Sequence, residues 1–199
     1  MKSAYNGGLT REQFLFYEIR TVASLLMQGL ERETIINKIC EENLFQFPTE
    51  RMNKSIAKTC FQRIDALDSE ELVSLLADAS TDVAKQINLY AMMKYNRIVW
   101  DFMTTVIGEK YRTQEFVFSR KDINVFFLQL QEQDDNVASW SEGTINKIKQ
   151  VLTKCLVECD YLNTYKSTQL NIITIAPELE DAIRAENNMA ALPAFNCFR

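Results

Sequence analysis

Lys147 and Lys149, with Thr144, Asn146 and Gln150 around them, crowd ammonium, hydroxyl and carboxamide groups into one short stretch of an amphipathic segment. Side chains of these types meet phosphate oxygens and the edges of bases, so the chemistry they suggest is nucleic-acid contact. A second basic set, Arg51, Lys54 and Lys58, recurs at i, i+3 and i+7, which puts three cations on one side of a helix. Each set also reads as the ordinary solvated side of an amphipathic helix. That plainer reading weighs more on the second set, because Glu50 and Asp65 dilute its charge.

Catalysis finds less support. The chain has no histidine, which removes the commonest general base and every Ser-His or Cys-His nucleophile pair. Cys155 and Cys159 stand at i, i+4, but no CxxC motif or histidine supplies the further soft ligands a metal would need. Cys155 falls in an apolar stripe and is expected to be a packed thiol. Glu18 and Lys94 each fall inside an apolar arc, where an ion left alone costs several kcal/mol, so each needs a partner. A pairing of Glu18 with Lys94 or Arg97 is one solution. No catalytic residue, no metal ligand and no cofactor is expected.

The elements that must carry these side chains follow from composition and periodicity. Five glycines and three prolines in 199 residues are too few turn-formers for an all-β chain. Thr10-Arg-Glu-Gln13 reads as a capping box opening a first helix that ends near Gly29. Further helices are predicted over 31–43, 49–67 and 69–77, and a long core helix over 81–107 that Gly108 ends. Polar residues from Lys85 to Asp101 punctuate that long segment at helical spacing, so it does not read as a membrane span.

From about residue 110 the texture changes. Phe116-Val-Phe118 reads as extended, and Ser119 caps a helix carrying Ile123, Phe126, Phe127 and Leu130. A polar link follows over 131–139. Ser141 then caps a helix whose stripe is Ile145, Ile148, Val151, Leu152, Cys155 and Leu156. Next come Asp160-Tyr-Leu162, a polar turn and a β-rich run from Leu170 to Ile175. This order is that of a winged helix-turn-helix. The expectation is a mainly α protein: a helical bundle over 1–110, a winged-helix-like region with a short β element over 111–186, and an apolar tail over 187–199. That tail, Met189 to Phe198, either packs back or is presented to a partner.

The formal net charge of −5 argues against a strong duplex binder overall, while leaving room for one local patch. No apolar leader is recognised at the start, and the five cysteines, an odd number, read as reduced thiols. A cytoplasmic location without membrane contact is expected.

Several blocks, in order along the chain, resemble the BrxA family of bacterial BREX phage-defence systems. They are Tyr5-Asn-Gly-Gly-Leu-Thr10, Glu42-Asn-Leu-Phe-Gln-Phe-Pro-Thr-Glu-Arg51, Ala84-Lys-Gln-Ile-Asn-Leu-Tyr90 with Lys94-Tyr-Asn-Arg97, Gly108-Glu-Lys-Tyr-Arg112, Ser139-Trp-Ser-Glu-Gly-Thr-Ile-Asn-Lys147 and Ala191-Leu-Pro-Ala-Phe195. None is a catalytic signature. The resemblance implies a small accessory protein, encoded beside a methyltransferase, an ATPase and a phosphatase-like protein, that helps restrict phage DNA. It also implies a fold similar to NusB, an all-helical RNA-binding factor, and for some members an inner-membrane assignment that the residues here do not support. The expected function is a non-catalytic nucleic-acid-binding subunit, on DNA rather than RNA, working beside other phage-defence proteins. The alternative is a protein-interaction adaptor that docks on a larger defence enzyme through the C-terminal region and tail.

Overall fold

The structure, a computed structural model, describes residues 4–198. It is mainly helical and divides into two compact units, one of residues 15–95 and one combining the residues up to Phe14 with those from Asn96 onward.

The 15–95 unit holds α1 (Phe16–Met27), α2 (Arg32–Glu41), α3 (Glu50–Leu67), α4 (Glu70–Asp78) and α5 (Thr81–Tyr95). α5 packs on α1, α3 and α4, and eight of its residues from Ala84 to Met93 are buried, as a central helix requires. Thr49 and Ser69 cap α3 and α4 by accepting from the amides of Met52 and Leu72. Two helix C-termini are closed by cations. The Arg20 guanidinium donates to the carbonyls of Ala77 and Ala79 at the end of α4, and the Lys94 ammonium donates to the Leu67 carbonyl, 2.8 Å away, at the end of α3. Both place positive charge at the negative end of a helix dipole. Lys94, which the apolar arc had marked as needing a partner, is thus met by backbone oxygen.

The other unit begins with a 3-10 turn, Gly7–Thr10, capped by Asn6. This corrects the expected start of the first helix. Thr10 spends its hydroxyl on the Gly7 carbonyl rather than capping a helix. Leu15 then takes a left-handed conformation with φ of 52°, and α1 starts only at Phe16. The Tyr5 hydroxyl donates to Asp101 at 2.7 Å, the Arg97 guanidinium lies 3.9 Å from the Tyr5 ring centroid, and Asn136 donates to the Tyr5 carbonyl. The Asp101 acceptor together with burial pushes the Tyr5 hydroxyl up to about 12, burial being the larger cause.

Asn96 breaks the single long helix expected over 81–107. Its backbone is extended and its side chain accepts from the Ile98 amide, opening α6 (Arg97–Phe102). An asparagine that can cap competes with helix continuation, and here capping prevails. A π-helical turn, Met103–Ile107, and α7 (Gly108–Arg112) continue the chain. Gly108 therefore lies inside helical structure rather than ending it. A Cβ at Gly108 would sit 3.0 Å from the Pro193 Cβ and 3.1 Å from the Pro193 carbonyl carbon, so the missing side chain admits the tail.

That tail is a 3-10 segment, Met189–Phe195, which contacts α7 and α11 (Pro177–Ala185). Leu192, Ala194 and Phe195 are buried, and the Tyr161 hydroxyl donates to the Ala194 carbonyl. Of the two fates open to it, the tail packs back.

The winged-helix expectation requires correction. Among the described residues no sheet forms, and Val117 and Gln169 make an isolated antiparallel bridge. The run from Leu170 to Ile175 is not a strand. Its β-branched composition favours a pleated surface, but the amides of Leu170 and Asn171 go to separate acceptors, Phe116 and Tyr161. The helices of the region do form as expected. Ser119 and Asp122 make a capping box at the start of α8 (Arg120–Gln133). After the short α9 (Asp135–Ala138), Ser141 caps α10 (Glu142–Glu158), whose six apolar stripe residues are all buried.

Replacing Gly108 with alanine sets two effects against each other. Alanine favours a helix interior by about 1 kcal/mol, whereas overpacking against Pro193 costs about 1–3 kcal/mol. The expected outcome is a net loss of stability in urea denaturation followed by circular dichroism. A Gly108→Ala protein more stable than wild type would show that the tail yields at no cost.

Candidate nucleic-acid interface

α8 and α10 both line a depression of about 1050 Å³. α8 contributes Arg120, Ile123 and Asn124; α10 contributes Asn146, Lys147, Lys149, Gln150, Thr153 and Lys154. The loop Tyr165-Lys-Ser-Thr168 closes one side, and Gln13 reaches it from the N-terminal segment. Among the described residues lining it, five are cations (Arg120, Lys147, Lys149, Lys154 and Lys166) and none is a carboxylate. In a chain of net charge −5 this is a local separation of sign.

The depression is held in shape from several sides. The Lys149 ammonium donates to Asn124 Oδ1 at 2.8 Å and lies 5.4 Å from the centroid of the buried Phe127 ring. The Lys154 ammonium donates to Gln13 Oε1 at 3.0 Å. The loop is tied by its own hydroxyls, because the Thr164 amide donates to Ser167 Oγ and the Lys166 amide to Thr164 Oγ1. At its base the Asn171 carboxamide donates to the Asp160 carbonyl and to Asn163 Oδ1, and the Tyr111 hydroxyl donates to the Asn171 carbonyl at 2.6 Å. Burial pushes the Tyr111 hydroxyl well above its ordinary value, so this donor keeps its proton. The Phe118 amide donates to the Thr168 carbonyl, fixing the far end.

The start of α8, and with it Arg120, is set by a buried cation. Lys110 is 7% exposed, and its ammonium sits 2.9 Å from Asp122 and 3.2 Å from Glu115. The same Asp122 accepts from the Ser119 amide in the capping box. Partial burial raises the Asp122 carboxyl, but the hydrogen bonds from Lys110 and Ser119 outweigh it and leave the group below its ordinary value.

Of the residues singled out in the sequence, Asn146, Lys147, Lys149 and Gln150 line this depression. Thr144 is not among its lining. Its hydroxyl is within hydrogen-bond distance of Ser141, and its methyl stands 3.7 Å from the position a Cβ on Gly7 would take. Arg51, Lys54 and Lys58 line a different, smaller depression of about 480 Å³ on the 15–95 unit, together with Glu50 and Ser55. There the Lys54 ammonium is paired with Glu50 at 2.5 Å, which spends its charge locally.

Arg120, Asn124, Lys154 and Lys166 were not anticipated as site residues. Lys154 follows Lys147 by seven residues, two helical turns, so its placement on the same side was legible. Arg120 and Asn124 belong to the neighbouring helix, and Lys166 to a loop whose course only tertiary contacts define.

Among the described residues, no helix is long and apolar enough to cross a membrane. The family model for BrxA matches residues 3–187. The chain is 33% identical over 168 residues to the "BREX protein BrxA" of Bacillus cereus (strain H3081.97), covering 84% of each chain. It is 27% identical over 171 residues to that of Paramagnetospirillum magneticum (strain ATCC 700264 / AMB-1), covering 86% of this chain and 85% of the relative. The "BREX protein BrxA" of Escherichia coli O9:H4 (strain HS) is 25% identical over 181 residues, 91% of this chain and 84% of that one. A crystal structure of an uncharacterized protein from Magnetospirillum magneticum has the same fold, with a TM-score of 0.80 at 23% identity over 97% of this chain and 98% of that one.

The carboxyl of Asp122, held below its ordinary value in the folded protein, contributes stability that is present above the unfolded carboxylate range and lost as pH falls through the folded value. Thermal melts between about pH 5 and pH 2, the window in which acid titrates such carboxylates, are therefore expected to show a smaller pH dependence for Asp122→Asn than for wild type. Parallel melting curves across that window would mean that the Lys110 pairing carries no linkage.

Proposed function

The chain belongs to the BrxA family, and from that premise we propose that it is a non-catalytic, DNA-binding subunit of a bacterial BREX phage-defence system. The observation that carries this reading is the depression between α8, α10 and the 165–168 loop, where five cations meet and no carboxylate intervenes among the described lining residues. Phosphate backbones attract such a surface whatever the net charge of the whole protein, because the dominant interaction is local neutralisation with release of counterions. Arg120, Lys147, Lys149, Lys154 and Lys166 are the phosphate-facing set, and Asn146 and Gln150 stand among them with groups suited to base edges. Thr144 acts at the helix start rather than on the ligand. Arg51, Lys54 and Lys58 form at most an auxiliary phosphate surface, since Glu50 neutralises Lys54. Other phage-defence proteins are the partners that family membership suggests.

The adaptor reading draws on the tail, and the tail is folded against α7 and α11 with Ala191, Leu192, Ala194 and Phe195 buried, while Met189 and Phe198 stay exposed at its two ends. It therefore offers no extended peptide for a partner, and the nucleic-acid reading stands ahead.

Anisotropy titration of labelled duplex DNA across a salt series tests the proposal. Five phosphate contacts correspond to a slope of log affinity against log salt of about −4.5, and removing one true contact changes it by about one. Lys147→Ala and Lys154→Ala are each expected to flatten the slope by that amount, and Lys147→Glu with Lys149→Glu to abolish binding. Arg51→Ala and Lys58→Ala are expected to leave the slope nearly unchanged. A wild-type protein that fails to bind duplex at low salt, or binds single-stranded RNA more tightly, would overturn the reading.

A further inference from the structure

Within the cationic depression one contact joins side chains of its two helices. The Lys149 ammonium donates to Asn124 Oδ1 at 2.8 Å and rests 5.4 Å from the Phe127 ring centroid. An ammonium has donors and no acceptor, so the Asn124 atom it touches is the carbonyl oxygen. The Asn124 amide nitrogen then keeps its two N–H groups for other partners. A ligand donor aimed at Oδ1 would have to compete with a full positive charge already bound there. What the pair can offer a ligand is therefore a set of N–H donors drawn from both side chains.

We infer that Lys149 and Asn124 form a donor-only reading head that selects guanine over adenine in duplex DNA, an inference that rests on the DNA-binding reading of the same depression. Guanine presents two adjacent acceptors in the major groove, N7 and O6. Adenine presents N7 beside the N6 amino donor, which an asparagine satisfies only when its own oxygen is available. Lys149 removes that option. Cytosine, with its N4 amino donor, is disfavoured for the same reason. Phosphate oxygens are also paired acceptors, but the depression supplies four further cations for them, Arg120, Lys147, Lys154 and Lys166. Of those four, Lys154 meets a carboxamide, and that amide belongs to Gln13 of the N-terminal segment. The Lys149–Asn124 pair instead links α10 to α8, and the Phe127 ring of α8 lies beneath the ammonium.

The test uses the full chain and three labelled duplexes of equal length at one salt concentration: guanine-rich, the same sequence with 7-deazaguanine at every guanine, and an A·T duplex of mixed order. The 7-deaza substitution deletes the N7 acceptor and keeps phosphates and pairing. The guanine-rich duplex is expected to bind about tenfold tighter than the A·T duplex for each base contacted. The 7-deaza duplex should fall to the A·T level. Asn124→Ala, an exposed substitution whose fold is checked by circular dichroism, should bind all three alike at the affinity wild type shows for A·T. Equal wild-type affinity for the three duplexes would make the pair a phosphate clamp and overturn the inference while leaving DNA binding intact. A guanine preference that survives 7-deaza substitution or Asn124→Ala would place base selection elsewhere. Failure to bind any duplex would remove the DNA-binding reading as well.

Discussion

A buried ammonium is the constraint from which the basic face takes its shape. Lys110 is 7% exposed, and an isolated charge at that depth would cost several kcal/mol. Its two carboxylate partners are Glu115, within the link between α7 and α8, and Asp122, in the first turn of α8. Once both are engaged, the link has little freedom. Asp122 also completes the Ser119 capping box, so the residue that neutralises Lys110 fixes where α8 begins. The helical register that follows from this start directs Arg120 and Asn124 outward while Ile123, Phe126, Phe127 and Leu130 face inward.

The remaining wall depends on α10, and here the apolar stripe does the positioning. Residues from Ile145 to Leu156 at helical spacing are buried, which leaves the intervening polar positions to form one side of the depression. Gathering like charges on that side is unfavourable, by about 1 kcal/mol for a close pair in water. The cations are accommodated because two of them are bound to neutral amide oxygens, Lys149 to Asn124 and Lys154 to Gln13, which stabilise an ammonium without cancelling its charge.

What could be read from the chain alone followed the range of the interactions involved. Caps and stripes are local, so α3, α4, α8 and α10 are visible in the sequence, each with a hydroxyl cap followed by apolar residues on one side. Features decided at a distance were not visible. Asn96 looked like one more polar residue on a long helix, although its side chain caps a new one. Gly108 looked like a stop, but it is small because Pro193 lies against it. The β-branched residues after Leu170 promised a strand that no neighbour completes. The site divides in the same way. Asn146, Lys147, Lys149 and Gln150 share one helix and were legible together, whereas Arg120, Asn124 and Lys166 join them only through tertiary packing.

The path of the chain through its two units bears on the order in which they are made. Residues up to Phe14 belong with those from Asn96 onward, and their contacts span long separations: Tyr5 with Asp101, Tyr5 with Asn136, and Gln13 with Lys154. A ribosome adds about 5–20 residues per second. All of α1 to α5 is therefore synthesised before the partners of the first segment exist. The opening residues emerge first and yet are among the last to settle, waiting on the order of 10 s for synthesis to reach the helices that receive them.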